Sequence, residues 1–129
     1  MSTLGIDHVG LTVADLEASR DFFVACLGWP QLGGYDAYPS AYVTDGVAKL
    51  TLWQQRGDTA FDRHETVGLH HTALKVADRA TLEAIFEKVR DWPGVDVEFA
   101  PELSGKGPKV HCMLREPGGT RLELSYDPR

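Results

Sequence analysis

Apolar and polar residues alternate from position 6 to 13, with Val9, Leu11 and Val13 on one side and His8, Gly10 and Thr12 on the other. A period of two, rich in β-branched residues, predicts a strand with one packed face. The period then lengthens. Leu16, Phe22, Phe23, Cys26 and Leu27 fall at helical spacing behind Asp15, an N-cap residue, with Glu17 in the first turn, and Gly28 and Pro30 end the helix. Residues 31–39 are rich in Gly and Tyr and predict a short irregular strand. Residues 41–44 and 47–54 are expected strands about an Asp45-Gly46 turn.

The same order returns. Residues 69–76 repeat residues 6–13 at an offset of 63, laying His71 over His8, Leu74 over Leu11 and Val76-Ala77-Asp78 over Val13-Ala14-Asp15. Asp78 is the matching N-cap. Leu82, Ile85, Phe86, Val89 and Trp92 form the apolar stripe of a second helix, ended by Pro93-Gly94. Strands are expected over 95–100, 109–115 and 120–126, the last two joined by the turn sequence Glu116-Pro117-Gly118-Gly119. Residues 46–53 also match 118–125, at an offset of 72. A recurring pattern of this kind means two copies of one supersecondary unit. The expectation is an α+β domain of two βαβββ repeats, residues 1–54 and 69–129 joined by a linker over 55–68. Its eight strands form a curved mixed sheet around a concave site, with the helices outside.

Bulk properties narrow the classes. The chain has 129 residues, 43% hydrophobic and 25% charged, enough for one domain with a real core. A formal charge of −6 argues against a nucleic-acid partner and gives no attraction to anionic membranes. No apolar run approaches the ~20 residues of a membrane span, and residues 1–5 have no leader-like pattern. Cys26 and Cys112 are far apart in sequence and read as free thiols, so the cytoplasm is the expected compartment.

Strand parity then sorts the polar residues. Glu123 lies between Leu122 and Leu124, which are expected to face the helices, so Glu123 faces the concave side. If the repeats are related by a pseudo-twofold axis, His8, His71 and Glu123 converge there. Two imidazoles and a carboxylate form a facial triad able to hold a divalent metal with open positions. A histidine on a half-buried strand is as readily structural, and a carboxylate on a final strand as readily solvated. The match of His8 to His71 favours the ligand reading. His111, Met113 and Arg115 share the inward parity, and His111 is the candidate general acid or base, or else a hydrogen-bonded wall residue. Arg121 shares the face of Glu123, either to hold an anionic substrate or to pair with Glu123. Thr51 and Trp53 are expected to line the pocket, Trp53 as an apolar wall. His70 has the opposite parity to His71, and His64 falls in the linker.

Three segments carry a family resemblance: 6–23 with Leu27-Gly28-Trp29, 68–76, and 116–124. Together they resemble the vicinal oxygen chelate superfamily, which includes glyoxalase I, extradiol dioxygenases, methylmalonyl-CoA epimerase and the fosfomycin and bleomycin resistance proteins. The resemblance implies paired βαβββ units, a homodimer or an intrachain pairing of the halves, and metal-ligand positions at His8, His71 and Glu123. The implied cofactor is a divalent metal, Fe2+, Mn2+, Zn2+ or Ni2+, which would chelate a small substrate through paired oxygens. Glyoxalase I and the epimerase have a fourth ligand, Glu or Gln, where the offset-72 match puts Thr51. Thr51 therefore argues against glyoxalase-type isomerisation. Ring-cleaving relatives carry Tyr where this chain has Met113, and fosfomycin relatives carry Thr where it has Gly10. The three-ligand set favours dioxygenase-like chemistry. The rival expectation is a metal-free protein that sequesters a ligand, like the bleomycin resistance members.

Overall fold

The computed structural model describes residues 2–129. The first repeat contains β1 (Val9–Val13), α1 (Leu16–Asp21), a π-helical turn (Phe22–Cys26), β2 (Gln31–Gly33), β3 (Ser40–Thr44) and β4 (Lys49–Gln54). The second contains β5 (Thr72–Lys75), α2 (Arg79–Val89), β6 (Asp96–Leu103), β7 (Val110–Arg115) and β8 (Arg121–Tyr126). The eight strands form two four-stranded mixed sheets of identical topology, β1-β4-β3-β2 and β5-β8-β7-β6. In each, the first strand runs parallel to the last and the other pairs are antiparallel. Both sequence offsets reappear in the register: Gly10 lies opposite Thr51, and Ala73 opposite Glu123. Thr51 thus occupies in the first sheet the place that Glu123 holds in the second.

Both helices start where expected. The Asp15 carboxylate accepts a hydrogen bond from the Ala18 amide at 3.1 Å, and Asp78 accepts one from Thr81 at 2.7 Å, satisfying amides that have no intrahelical partner. The first helix departs from the expected continuous α-helix. After Asp21 it widens into the π turn, where the Leu27 amide donates to the Phe22 carbonyl at 3.0 Å. The wider turn places Phe22, Phe23 and Cys26 together in the core, each 1% exposed or less. At the hairpin, Asp45 accepts from the amides of Val47 and Ala48, while Gly46 takes a φ of +97° that disfavours a side chain.

Parity behaves as the alternation implies. Leu11, Val13, Leu114 and Leu122 all fall in one buried cluster with Phe22, Phe23 and Val89, so both repeats supply the main core. Cys112 and Leu124 join Leu82 and Phe86 in a second cluster under α2.

A polar clamp joins the repeats beside this core. Glu116 is 1% exposed. Its carboxylate accepts from the Ser19 hydroxyl at 2.8 Å, the Gly118 amide at 2.7 Å and the Thr120 amide at 3.0 Å. The Ala14 amide donates to the Gly118 carbonyl at 2.8 Å, so the same turn is held by β1's end and by α1. Gly118 permits the approach, because a Cβ there would lie 1.7 Å from Ser19 Oγ and 2.9 Å from Val13 Cβ.

Replacing Glu116 by Ala leaves these donors without an acceptor, at about 1–3 kcal/mol for each one that stays buried. We expect Glu116→Ala and Gly118→Ala each to lower stability by about 3 kcal/mol in urea unfolding. A loss below about 1 kcal/mol for both would remove the clamp from any structural role.

Candidate functional site

The inner face of the second sheet gathers most of the chemistry. Glu123 sits on β8, 5% exposed, and its flanking leucines face the core. Its two carboxylate oxygens are divided between partners. Oε2 lies 3.2 Å from His71 Nε2, while Oε1 lies 3.0 Å from His111 Nδ1 and 3.2 Å from Lys109 Nζ. The register explains the gathering. Ala73 faces Glu123 across the parallel pair, and His71 lies two residues earlier on the same parity. Ser125 faces His111 across the antiparallel pair, which brings His111 diagonally next to Glu123. Met113 stands directly opposite Glu123 and is 5% exposed.

The electrostatics follow from these contacts. Burial pushes the Glu123 carboxyl pKa upward, but hydrogen bonds and charge from His111 and Lys109 outweigh it, and the pKa settles below its ordinary value. With Glu123 ionised, a neutral His111 donates from Nδ1 and keeps Nε2 as a free acceptor. The Phe99 ring packs on the His111 ring at 4.9 Å between centroids and fixes its plane. On the far side of Glu123, His71 Nδ1 lies 2.7 Å from His70 Nδ1, so one of the two rings donates to the other.

His8 is not part of this gathering. β1 begins at Val9, leaving His8 just ahead of the strand, where its Nδ1 pairs with the Asp7 carboxylate at 2.7 Å and half of its side chain is exposed. The Asp7 pKa is lowered by that hydrogen bond. Among the described residues, no three His, Cys, Asp or Glu side chains are arranged to hold a metal ion. A single chain therefore brings together two of the three expected ligands, His71 and Glu123, and keeps the third apart.

The inner face of the first sheet is aromatic. Trp53 Nε1 donates to Thr51 Oγ1 at 2.9 Å, and the indole packs edge-on against Tyr38 and tilts against Tyr42, at 4.9 and 5.9 Å between centroids. Gly10 leaves room for this pair, since a Cβ there would lie 3.2 Å from Thr51 Oγ1. Thr51 and Trp53 thus share a wall with Tyr38 and Tyr42.

Arg121 pairs with Glu98 of β6, donating from Nε at 3.0 Å and again from Nη2, instead of with Glu123. Glu98 lies on the strand beyond β7, a neighbour that no local pattern names. Arg115 and Arg121 both line a cavity of about 690 Å³ between β1, the 55–69 segment and the β7–β8 turn. Lys109 and Phe99 were not anticipated as site residues. Lys109 shares the odd parity of His111 and Met113, which was the available signal. Phe99 needed the β6–β7 pairing, whose register shifts beside it.

Comparison with known proteins agrees with this architecture. The family model described as Glyoxalase/Bleomycin resistance protein/Dioxygenase superfamily matches residues 5–124. Similar solved structures include a glyoxylase/bleomycin resistance protein/dioxygenase domain from Frankia sp. EAN1pec, 24% identical, with a TM-score of 0.83 over 99% of this chain and 95% of that one. A glyoxalase family protein from Enterococcus faecalis is 22% identical, with a TM-score of 0.76 over 97% and 99% of the two chains. Lactoylglutathione lyase from Agrobacterium tumefaciens is 20% identical, with a TM-score of 0.73 over 96% and 94%. These likenesses speak for the fold. No match is found among curated proteins. A family model that spans nearly the whole chain, over two copies of one βαβββ unit, means that the chain belongs to the glyoxalase/bleomycin resistance protein/dioxygenase superfamily.

Proposed function

We propose that the chain is a small-molecule metalloenzyme of the glyoxalase/dioxygenase type, with His71 and Glu123 as two metal ligands and His8 as the third. The observation that carries this reading is the buried Glu123 carboxylate with the His71 imidazole 3.2 Å away on an inward sheet face. Since one chain leaves His8 apart, we assign the third ligand to a second copy in a homodimer. β1 and β5 are edge strands. Exposed apolar residues precede each of them, Leu4 and Ile6 before β1 and Val67 and Leu69 before β5. Edges of that kind call for a cover.

A divalent metal (iron, manganese, zinc or nickel) would supply Lewis acidity toward two oxygens of a small substrate. The chain's own groups divide the remaining work. His111, with Nε2 left as acceptor, is the group to take or return a substrate proton. Thr51, Trp53 and Met113 are the wall residues, while Arg115 and Arg121, the expected anion contacts, line the cavity beside the 55–69 segment. Thr51 has no carboxylate with which to move a proton, which favours dioxygenase-like over glyoxalase-like chemistry. Cys26 and Cys112 are buried free thiols, and burial raises the Cys112 pKa to about 11. Unreactive thiols of this kind suit a cytoplasmic protein.

One observation favours a second reading, a metal-free protein that sequesters its ligand. Lys109 Nζ already stands 3.2 Å from Glu123, so the carboxylate is balanced without a metal. The aromatic wall of Trp53, Tyr38 and Tyr42 would then hold the ligand.

Elemental analysis of tag-free protein should find about one metal per chain in a three-ligand site, lost in His8→Ala, His71→Ala and Glu123→Gln. Mixing the His8→Ala and His71→Ala proteins after unfolding should restore about a quarter of the sites, since half of the random dimers carry one intact site. No restoration would exclude a shared site. Absence of metal after reconstitution, with an unchanged melting temperature on adding each ion, would leave the sequestering reading.

The pairing of Glu123 with Lys109 and His111 has its own signature in metal-free protein. Because the folded pKa lies below the ordinary 4.5, this pairing stabilises the fold above that pH and is lost as pH falls through the folded value. The stability gap between wild type and Glu123→Gln, read by urea unfolding, should be widest near neutrality and close in acid. A gap that stays constant with pH would show that Glu123 titrates as it does unfolded.

A further inference from the structure

The cavity between the repeats opens beside the Glu123 cluster and not at it. It lies where the 55–69 segment folds over β1 and the β7–β8 turn, and His71, His111 and Glu123 do not line it. Its lining is apolar at Leu11 and Phe61 and cationic at Arg63, Arg115 and Arg121. The chain as a whole carries −6, so three guanidinium groups at one cavity run against the average.

Those guanidiniums share one carboxylate. Glu98 takes both hydrogen bonds from Arg121 and lies 3.7 Å from Arg63 Nη2. Its pKa falls below the ordinary range, first through the Arg121 hydrogen bonds and then through the charges of Arg121, Arg63 and Arg115, although burial opposes the shift. All three cations therefore act on the same space. Asp58 also lines the cavity, so the named groups leave one positive charge in excess. The Arg121 and Arg63 side chains are only 11% and 20% exposed, which limits screening by water. Arg63 Nε is buried and has no hydrogen-bond partner. A buried donor without an acceptor is unfavourable until one arrives.

We propose that this cavity is a binding site for a small organic anion, a carboxylate or phosphate group on an apolar body, with Arg63 and Arg115 as its principal charged contacts. Guanidinium forks match both head groups, and the apolar lining accepts the body. The volume of about 690 Å³ falls within the range of small-molecule sites. Glu98 competes with the ligand for Arg63 and Arg121. The site stands whether or not a metal binds at Glu123.

The test uses the full chain, kept metal-free with EDTA, and three probes of similar size: phenyl phosphate, benzoate and benzyl alcohol. Titration followed by amide NMR at low salt should give saturable binding of at least one of the two anions, with shifts in the 58–67 segment and at Gly118–Thr120. The alcohol should bind at least about tenfold more weakly. Arg63→Gln, in a connecting segment outside the core, should weaken anion binding about tenfold. Glu98→Gln should tighten it, a change opposite to that expected if Glu98 only held the fold. Equal binding of the alcohol, unchanged affinity in Arg63→Gln, weaker binding in Glu98→Gln, or no saturation by either anion would each overturn the proposal. His111→Ala, whose contacts are with Glu123 and Phe99 and not with the cavity lining, should leave the anion affinity unaltered, which separates this site from the one at Glu123.

Discussion

A buried carboxylate at the junction of two repeats is the constraint on which the molecule depends. Each βαβββ unit is a four-stranded sheet with one helical segment, and the main core draws on both units. Apolar contact alone is non-directional and would tolerate sliding of one unit on the other. Glu116 removes that freedom. Its oxygens are taken by one donor from α1 and two from its own turn, and the close approach of Ser19 to Gly118 leaves room for no other side chain. A polar group so enclosed is tolerable only with full hydrogen bonding, so one relative position of the repeats is strongly selected.

That fixed position has consequences for the site. The two sheets are alike in topology and register but not in the chemistry of their inner faces. Where the second sheet has Glu123 opposite Ala73, the first has Thr51 opposite Gly10. The repeat supplies equivalent places, of which one holds a carboxylate set among His71, His111 and Lys109 and the other a Thr51–Trp53 pair backed by tyrosines. The polar face can bind or move charge, and the aromatic face can hold a flat apolar group. In one chain Gly10 of the first face and Arg115 and Arg121 of the second meet at the cavity beside the linker, while His8 pairs with Asp7.

The segment between the repeats is more than a tether. It folds onto β1, where the Gln55 amide donates to the Val13 carbonyl at 2.8 Å, and it turns at Asp62, which accepts from the His64 amide at 2.8 Å. This puts Arg63 beside Glu98 and sets Phe61 against Gly68. A cavity with an apolar lining and a cationic edge results from chain that is polar and without periodicity in sequence.

What the sequence determined by itself is whatever depends on near neighbours. Alternation and turn residues marked the strands, and parity fixed the inward side of Glu123, His111 and Met113, because side chains on a strand change face at every step. Both caps at Asp15 and Asp78 were legible, since capping is satisfied within one turn. The doubling of the unit was legible because both offsets survive in the residues themselves, and so were the inward parity of Glu123 and its company with Met113 and His111. Tertiary structure decided what depends on distant partners. Ser19 and Glu116 meet across 97 positions, Arg121 chooses Glu98 over Glu123, Lys109 closes on Glu123, and the helix after Asp21 widens to seat two adjacent phenylalanines. His8 and His71 match in sequence yet stand apart in the fold, because periodicity records the face a residue takes on its own sheet. Which faces come together is set by packing between sheets, and no local pattern encodes that.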